Sequence, residues 1–150
     1  MTWVSMSTKA AEVKFGEGLE RGILNRWAEV SAFAKGVSKW TKSPPCADYD
    51  FVGWSPDHIP FIFVEIKARR SRWGTWGDVI FPLRKRKMAK RLSNFNIHLI
   101  GVTSYSCGTL VEVDLLDDPQ EEKMITRHDR PNMPVRHCVY TGDSLTIYSP

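Results

Sequence analysis

The chain has 150 residues, 42% apolar and 25% charged, with a net charge of +4. That length suits one domain with its own core, and the composition excludes a disordered or disulfide-stapled chain. No apolar run is long enough to cross a bilayer, and the segment MTWVSMSTKAAEVKFGEG lacks the apolar stretch of a secretory signal, so the cytoplasm of its cell or host is the expected location.

Residues 1–14 carry few structure-forming signals and are expected to fray. From Glu17 to about Ala34 the pattern is helical: Leu19, Ile23, Leu24, Trp27, Val30 and Ala34 fall within an arc of roughly 140° at 3.6 residues per turn. Glu20 falls inside that arc, near Trp27, which makes it an acid on the buried face. Such an acid serves a ligand, caps a neighbouring group or turns outward. Gly36 ends the helix. Val37–Lys42 reads as strand or loop, and the prolines of SPPCAD exclude regular helix.

Asp50–Lys67, DFVGWSPDHIPFIFVEIK, reads as two strands and a tight connection. Side chains alternate between strand faces, so Phe61, Phe63, Glu65 and Lys67 share one face and Ile62, Val64 and Ile66 the other. A strand apolar on both faces is a buried strand. Placing a carboxylate and an ammonium at its end is costly unless they are paired or bind a metal. A turn centred between Asp57 and His58 puts Asp50 across from Glu65. Two facing carboxylates repel unless a proton or cation lies between them. Asp48 is a rival for that position; Asp50 is preferred because the apolar strand begins directly after it. Asp57 belongs to the Ser-Pro-Asp-His turn.

ARRSRWGTWG, residues 68–77, is a basic, Trp- and Gly-containing loop. Asp78–Phe81 is expected to extend the sheet briefly, and Pro82 suits the first turn of a helix from Leu83 to about Ser93. That helix carries Arg84, Lys85, Arg86, Lys87, Lys90 and Arg91 but only Leu83, Met88, Ala89 and Leu92 as an apolar set, so most of its surface should face solvent or a ligand. IHLIGVTSY and TLVEVDLL read as strands, DDPQEEK as an acidic surface loop, and VRHCVYTGDSLTIYSP as a hairpin around Thr141-Gly142-Asp143. Cys46, Cys107 and Cys138 show no CxxC spacing and read as structural thiols; a zinc site from Cys107, His128, His137 and Cys138 fits no metal spacing.

Charge is unevenly spread. Residues 67–91 hold ten Lys or Arg against Asp78, giving +9, and the remainder of the chain carries −5. A basic block in a mildly acidic protein is either a polyanion-binding face or a solvated helix face.

An acid on a first helix, an Asp opening a strand, Glu-x-Lys closing the next, a basic helix and another buried strand together resemble the PD-(D/E)xK nuclease superfamily. The matching residues are Glu20, Asp50, Glu65 and Lys67. GEGLERGILNRW also resembles the opening of small Holliday-junction resolvases, with Gly16, Gly18, Glu20 and Arg21 in the matching places. The resemblance covers residues 16 to about 105; Tyr49 stands where many members have Pro. It implies an α/β fold with a restriction-endonuclease-like αβββαβ core, a mixed central sheet flanked by helices, and here a C-terminal β-hairpin. That makes residues 1–150 one nuclease-like domain, with its core at about 16–116 and an extension at 117–150.

The resemblance also implies a metal-dependent deoxyribonuclease acting on junction, branched or duplex DNA, in a prokaryotic cell or phage-infected host. Asp50, Glu65 and the Ile66 main-chain carbonyl are hard oxygen ligands of the kind Mg²⁺ prefers, with Mn²⁺ as a substitute. Glu20 binds a second ion or orients a water. Lys67 positions the attacking water or stabilises the phosphate oxygens. Arg69, Arg70, Arg72, Arg84, Lys85, Lys87, Lys90 and Arg91 are the expected nucleic-acid contacts. Trp73 and Trp76 stack on bases or anchor their loop. Two cuts on a duplex need two sites, hence an expected homodimer. The alternative is a catalytically silent nucleic-acid-binding module on the same fold. A weaker third reading is an α/β domain, with a chance Glu-x-Lys, that binds an acidic protein.

Overall fold

A computed structural model describes residues 2–5, 19–75, 77–127 and 130–150. These form strands β1 (Thr2–Ser5), β2 (Lys39–Lys42), β3 (Phe51–Trp54), β4 (Pro60–Ala68), β5 (Val79–Pro82), β6 (His98–Ser104), β7 (Leu110–Asp114), β8 (Glu121–Arg127), β9 (Arg130–Tyr140) and β10 (Leu145–Ser149), with helices α1 (Leu19–Val30) and α2 (Leu83–Ser93). The architecture is α/β. A seven-stranded mixed sheet runs β1-β10-β7-β6-β4-β3-β2, and a three-stranded antiparallel sheet runs β5-β9-β8. No helix among the described residues is long and apolar enough to cross a membrane.

Strand β4 sits near the centre, antiparallel to β3 and parallel to β6. Its apolar residues split between two cores as the period of two requires. Ile62, Val64 and Ile66 pack with Ile23, Leu24 and Trp27 of α1. Phe63 lies on the other face with Val79, Phe81, Ala89, Leu99 and Tyr140, under α2 and the second sheet. Phe61, near a register shift at Gly53/Trp54, packs on the α1 side instead. The far end of the Phe81 ring lies against Gly101 of β6: a Cβ there would come within 2.6 Å of its Cζ.

A buried acid ties α1 to the sheet. Glu112 of β7 is 5% exposed. Its Oε1 accepts from Trp27 Nε1 at 2.8 Å, from Tyr148 OH at 2.9 Å and from Ser31 Oγ. The alternation of TLVEVDLL makes Glu112 a polar strand position, and three donors from α1, its C-terminal turn and β10 satisfy it inside the core. Ser31 Oγ also caps the 3₁₀ turn Ala32–Ala34 by accepting from Phe33 N. We expect Ser31→Ala to lower stability by about 1–2 kcal/mol in urea unfolding, from one lost donor and one lost cap.

Five expectations are corrected. The first helix ends at Val30, and the Ser31-capped 3₁₀ turn takes up Ala32–Ala34. Thr2–Ser5 does not fray but pairs in parallel with β10. Residues 79–82 do not extend the central sheet; they pair with β9. Of the expected acidic loop, residues 117–123, the last three belong to strand β8, whose largely exposed surface shows no apolar alternation to mark it. The C-terminal hairpin is absent: Gly142, at φ +62°, turns the chain from β9 in one sheet to β10 in the other, where β10 pairs with β7. Gly16, Gly18, Trp76 and His128 lie outside the described residues.

Candidate functional site

The turn at Ser55–His58 fixes the β3–β4 register. His58 takes φ +62°, and its N–H donates to Ser55 O. Pairs Phe51–Val64, Val52–Phe63 and Gly53–Ile62 follow, centred between Asp57 and His58. Asp50 stands at the open end of this ladder. Its N–H donates to Val64 O at 2.9 Å. Its Oδ2 accepts the Ile66 N–H at 2.7 Å. In an extended strand a residue's N–H and C=O leave on the same edge, so the Ile66 carbonyl also faces the Asp50 side.

Glu65 lies beside Asp50 on the face covered by α2. Its Oε2 is 3.1 Å from Lys85 Nζ, with side-chain exposures of 18% and 7%. Lys85 Nζ also donates to the Asp48 carbonyl at 2.5 Å. Lys85 is therefore turned inward, a correction to the solvent-facing role expected of its helix. Burial pushes the Glu65 carboxyl up to about 6, and the Asp50 charge adds to this against the opposing pull of Lys85. Asp50 is raised by burial and by Glu20, while the Ile66 N–H and the cations of Lys85 and Lys42 hold it down.

Glu20 is half-exposed at the start of α1, with Lys42 Nζ 2.9 Å from its carboxylate. It is not on the buried face: the sealed part of α1 begins at Ile23, and so near the helix start the side chain reaches water. Lys67 Nζ donates to the Ile80 carbonyl at 2.5 Å and sits 5.0 Å from the Phe81 ring centroid. Burial, with Arg69 adding, drops its ammonium to about 8, while Glu65 opposes that fall.

These two shifts set a pH profile. Glu65 titrates higher in the folded chain than in the unfolded one, so the folded state holds the extra proton between about 4.5 and about 6, and stability falls as pH rises through that window. Lys67 titrates lower when folded, so the unfolded state holds the extra proton between about 8 and about 10.5, and stability rises through that window. We expect urea midpoints across pH 4–10 to show the first slope flatten in Glu65→Gln and the second in Lys67→Met.

The other expected contacts sort by geometry. Arg70, Arg72, Arg84, Lys87, Lys90 and Arg91 are exposed, and Arg69 is half-buried. Arg84 Nε is 3.9 Å from Asp48, and Arg86 NH2 is 2.6 Å from Asp118. Arg84, Lys87 and Arg91 follow helical spacing and share one solvent face of α2 with Lys90 beside them. Trp73 packs edge-on against Tyr105 at 5.3 Å and joins the core under α2, so it anchors its loop.

Whether the site suits a divalent cation is a question of donors. Asp50, Glu65 and the Ile66 carbonyl supply two facing carboxylates and a neutral oxygen, a hard-oxygen set in which like charges await neutralisation. In this structure the neutralising cation at Glu65 is Lys85. Among the described residues no three His, Cys, Asp or Glu side chains come close enough together to hold a metal on their own. The donor chemistry fits a cation held by two carboxylates, one carbonyl and waters, provided Lys85 withdraws or shares Glu65. No protein-family model matches this chain, and no curated protein sequence matches it.

Proposed function

We propose that this chain is a metal-dependent deoxyribonuclease of the PD-(D/E)xK type. The observation that carries the reading is the meeting of Asp50 and Glu65 at the open end of β3 and β4, with Lys85 at 3.1 Å from Glu65 and Lys67 on the same strand face. The topology supports it: α1, antiparallel β2–β3–β4, α2, then β6 parallel to β4, with the helices on opposite faces. The inserted β5 is the departure from a plain αβββαβ order.

Asp50, Glu65 and the Ile66 carbonyl would hold Mg²⁺ or Mn²⁺, which when bound supplies a Lewis acid for the phosphate and makes water a better nucleophile. Lys67, desolvated and anchored on Ile80 O, holds the attacking water or neutralises a phosphate oxygen. Water adds to phosphorus as the sugar oxygen leaves with a proton, giving a phosphomonoester and an alcohol. Glu20 disfavours charge on Asp50 and so strengthens the demand for a cation there. Arg84, Lys87, Lys90 and Arg91 are the phosphate contacts outside the site, and a homodimer would supply the second cut.

A second reading, a nucleic-acid-binding module without chemistry, is favoured by the Lys85–Glu65 pair, which already provides Glu65 with a cation. Incubation with plasmid, flapped and four-way DNA in Mg²⁺ or Mn²⁺ separates the two. Cleavage supports the enzyme; binding that weakens steeply with salt but never yields a cut supports the module.

A further inference from the structure

Two adjoining cavities lie beyond Lys67, between the end of β4 and the β8–β9 ribbon. The larger, about 480 Å³, is lined by Lys67, Arg69 and Arg84 together with Ile125, Met133 and Val135. The smaller, about 270 Å³, shares Arg69 and Ile80 with it and adds Tyr105 and Lys123. Among the described residues no Asp or Glu lines the larger cavity, and Asp78 is the one acid at the smaller. Among the described residues Glu65 lies beside Lys67, Asp48 lies 3.9 Å from Arg84, and Glu121 shares its β8 face with Lys123.

The ribbon supplies an asymmetric wall. Strand β9 pairs with both β5 and β8 from His137 on, and before His137 with β8 alone. Opposite pairs Ile125–Val135 and Lys123–His137 lie on one face, and Met124–Arg136 on the other. The cavity side of the ribbon thus presents Ile125, Met133 and Val135, with Lys123 beside them. Met133, on the cavity side, is 61% exposed, and Met124, on the opposite face, is 52% exposed.

We infer that this groove holds an unpaired DNA strand of about two nucleotides. Arg69 lies between the cavities as a phosphate contact shared by both, Arg84 and Lys123 flank it, and the bases lie against Ile125, Met133, Val135 and Tyr105. The larger cavity is of single-ligand size on the usual scale of about 300–1,000 Å³. Alternating cations and apolar surface suit a backbone and its base faces. The inference rests on the DNA reading above and specifies its substrate: DNA with an unpaired segment next to Lys67.

Two measurements in EDTA, where no cutting intervenes, test it. With ¹³C-methyl methionine, a short oligothymidylate should shift the Met133 resonance and leave Met124 in place. In anisotropy titrations Met133→Asp should weaken single-strand binding at least tenfold, whereas Met124→Asp, with the same added charge on the face away from the cavity, should change it less than twofold. An unmoved Met133 methyl, or equal effects of the two variants, overturns the groove. Thymidine monophosphate alone shifting Met133 with the affinity of the oligonucleotide would make this a mononucleotide pocket and overturn the strand assignment. Wild-type binding to duplex but not single strand removes this inference and leaves the DNA reading standing; binding to neither removes both.

Discussion

Glu65→Ala should lower DNA cleavage roughly 10³-fold, about 4 kcal/mol of transition-state stabilisation. The reason is positional. Glu65 is the carboxylate that shares the open strand end with Asp50, and its burial makes an ionised form demand a cation. Removing it takes away half the charge that would hold Mg²⁺, and Asp50→Asn should act similarly. DNA binding in EDTA should stay within about threefold of wild type, because the exposed phosphate contacts on α2 are untouched. Asp57→Ala, in the Ser55–His58 turn, should cut normally. Cutting that persists in both Glu65→Ala and Lys67→Ala would remove the site assignment, whatever binding shows. The alanine variant also leaves Lys85 without its carboxylate. The Asp48 carbonyl remains as an acceptor, so the stability loss should be smaller than for an orphaned buried charge.

Much of this site's frame was legible in the sequence because it is local. Turn chemistry at Ser55–His58 sets the strand register, and a period of two then assigns the β4 side chains from Ile62 to Lys67 to their faces, while Phe61, beside the register shift, departs from it. The bounds of α2 were equally readable, from Pro82 at its start and Asn94 at its end. What was not legible depends on distant partners. Six basic residues crowd α2, and nothing local marks Lys85 as the one that turns inward; Glu65 and the Asp48 carbonyl, brought by other elements, select it. Glu112 reads only as a polar strand position until Trp27, Ser31 and Tyr148 arrive around it. The second sheet was missed for the same cause. Its strands β8 and β9 are largely exposed, and the buried end of β9, Cys138–Tyr140, is apolar because of β5 and α2 rather than β10. A turn signal such as Thr141-Gly142-Asp143 shows that the chain bends. It does not show which sheet receives the next strand.

Lys85→Met separates a structural ion pair from a latent cation seat. At pH 8 the substitution should lower stability by about 3 kcal/mol, since breaking a buried pair strands the remaining charge. Glu65 can escape that cost by taking a proton, and without Lys85 its carboxyl should move further above about 6. The loss should therefore shrink to about 1 kcal/mol at pH 5, where the group is neutral in both proteins. Millimolar Mg²⁺ or Mn²⁺ should then restore the variant at pH 8. A cation present at 100 times its dissociation constant contributes about 2.7 kcal/mol. Wild type should gain less, because Lys85 competes for Glu65, and Lys85→Met with Asp50→Asn should gain almost nothing. Urea midpoints with and without the cation measure all three without asking for turnover. A variant that loses stability at pH 8 but ignores both metals would mean that Asp50 and Glu65 bind only protons and lysine, and would favour the non-catalytic module.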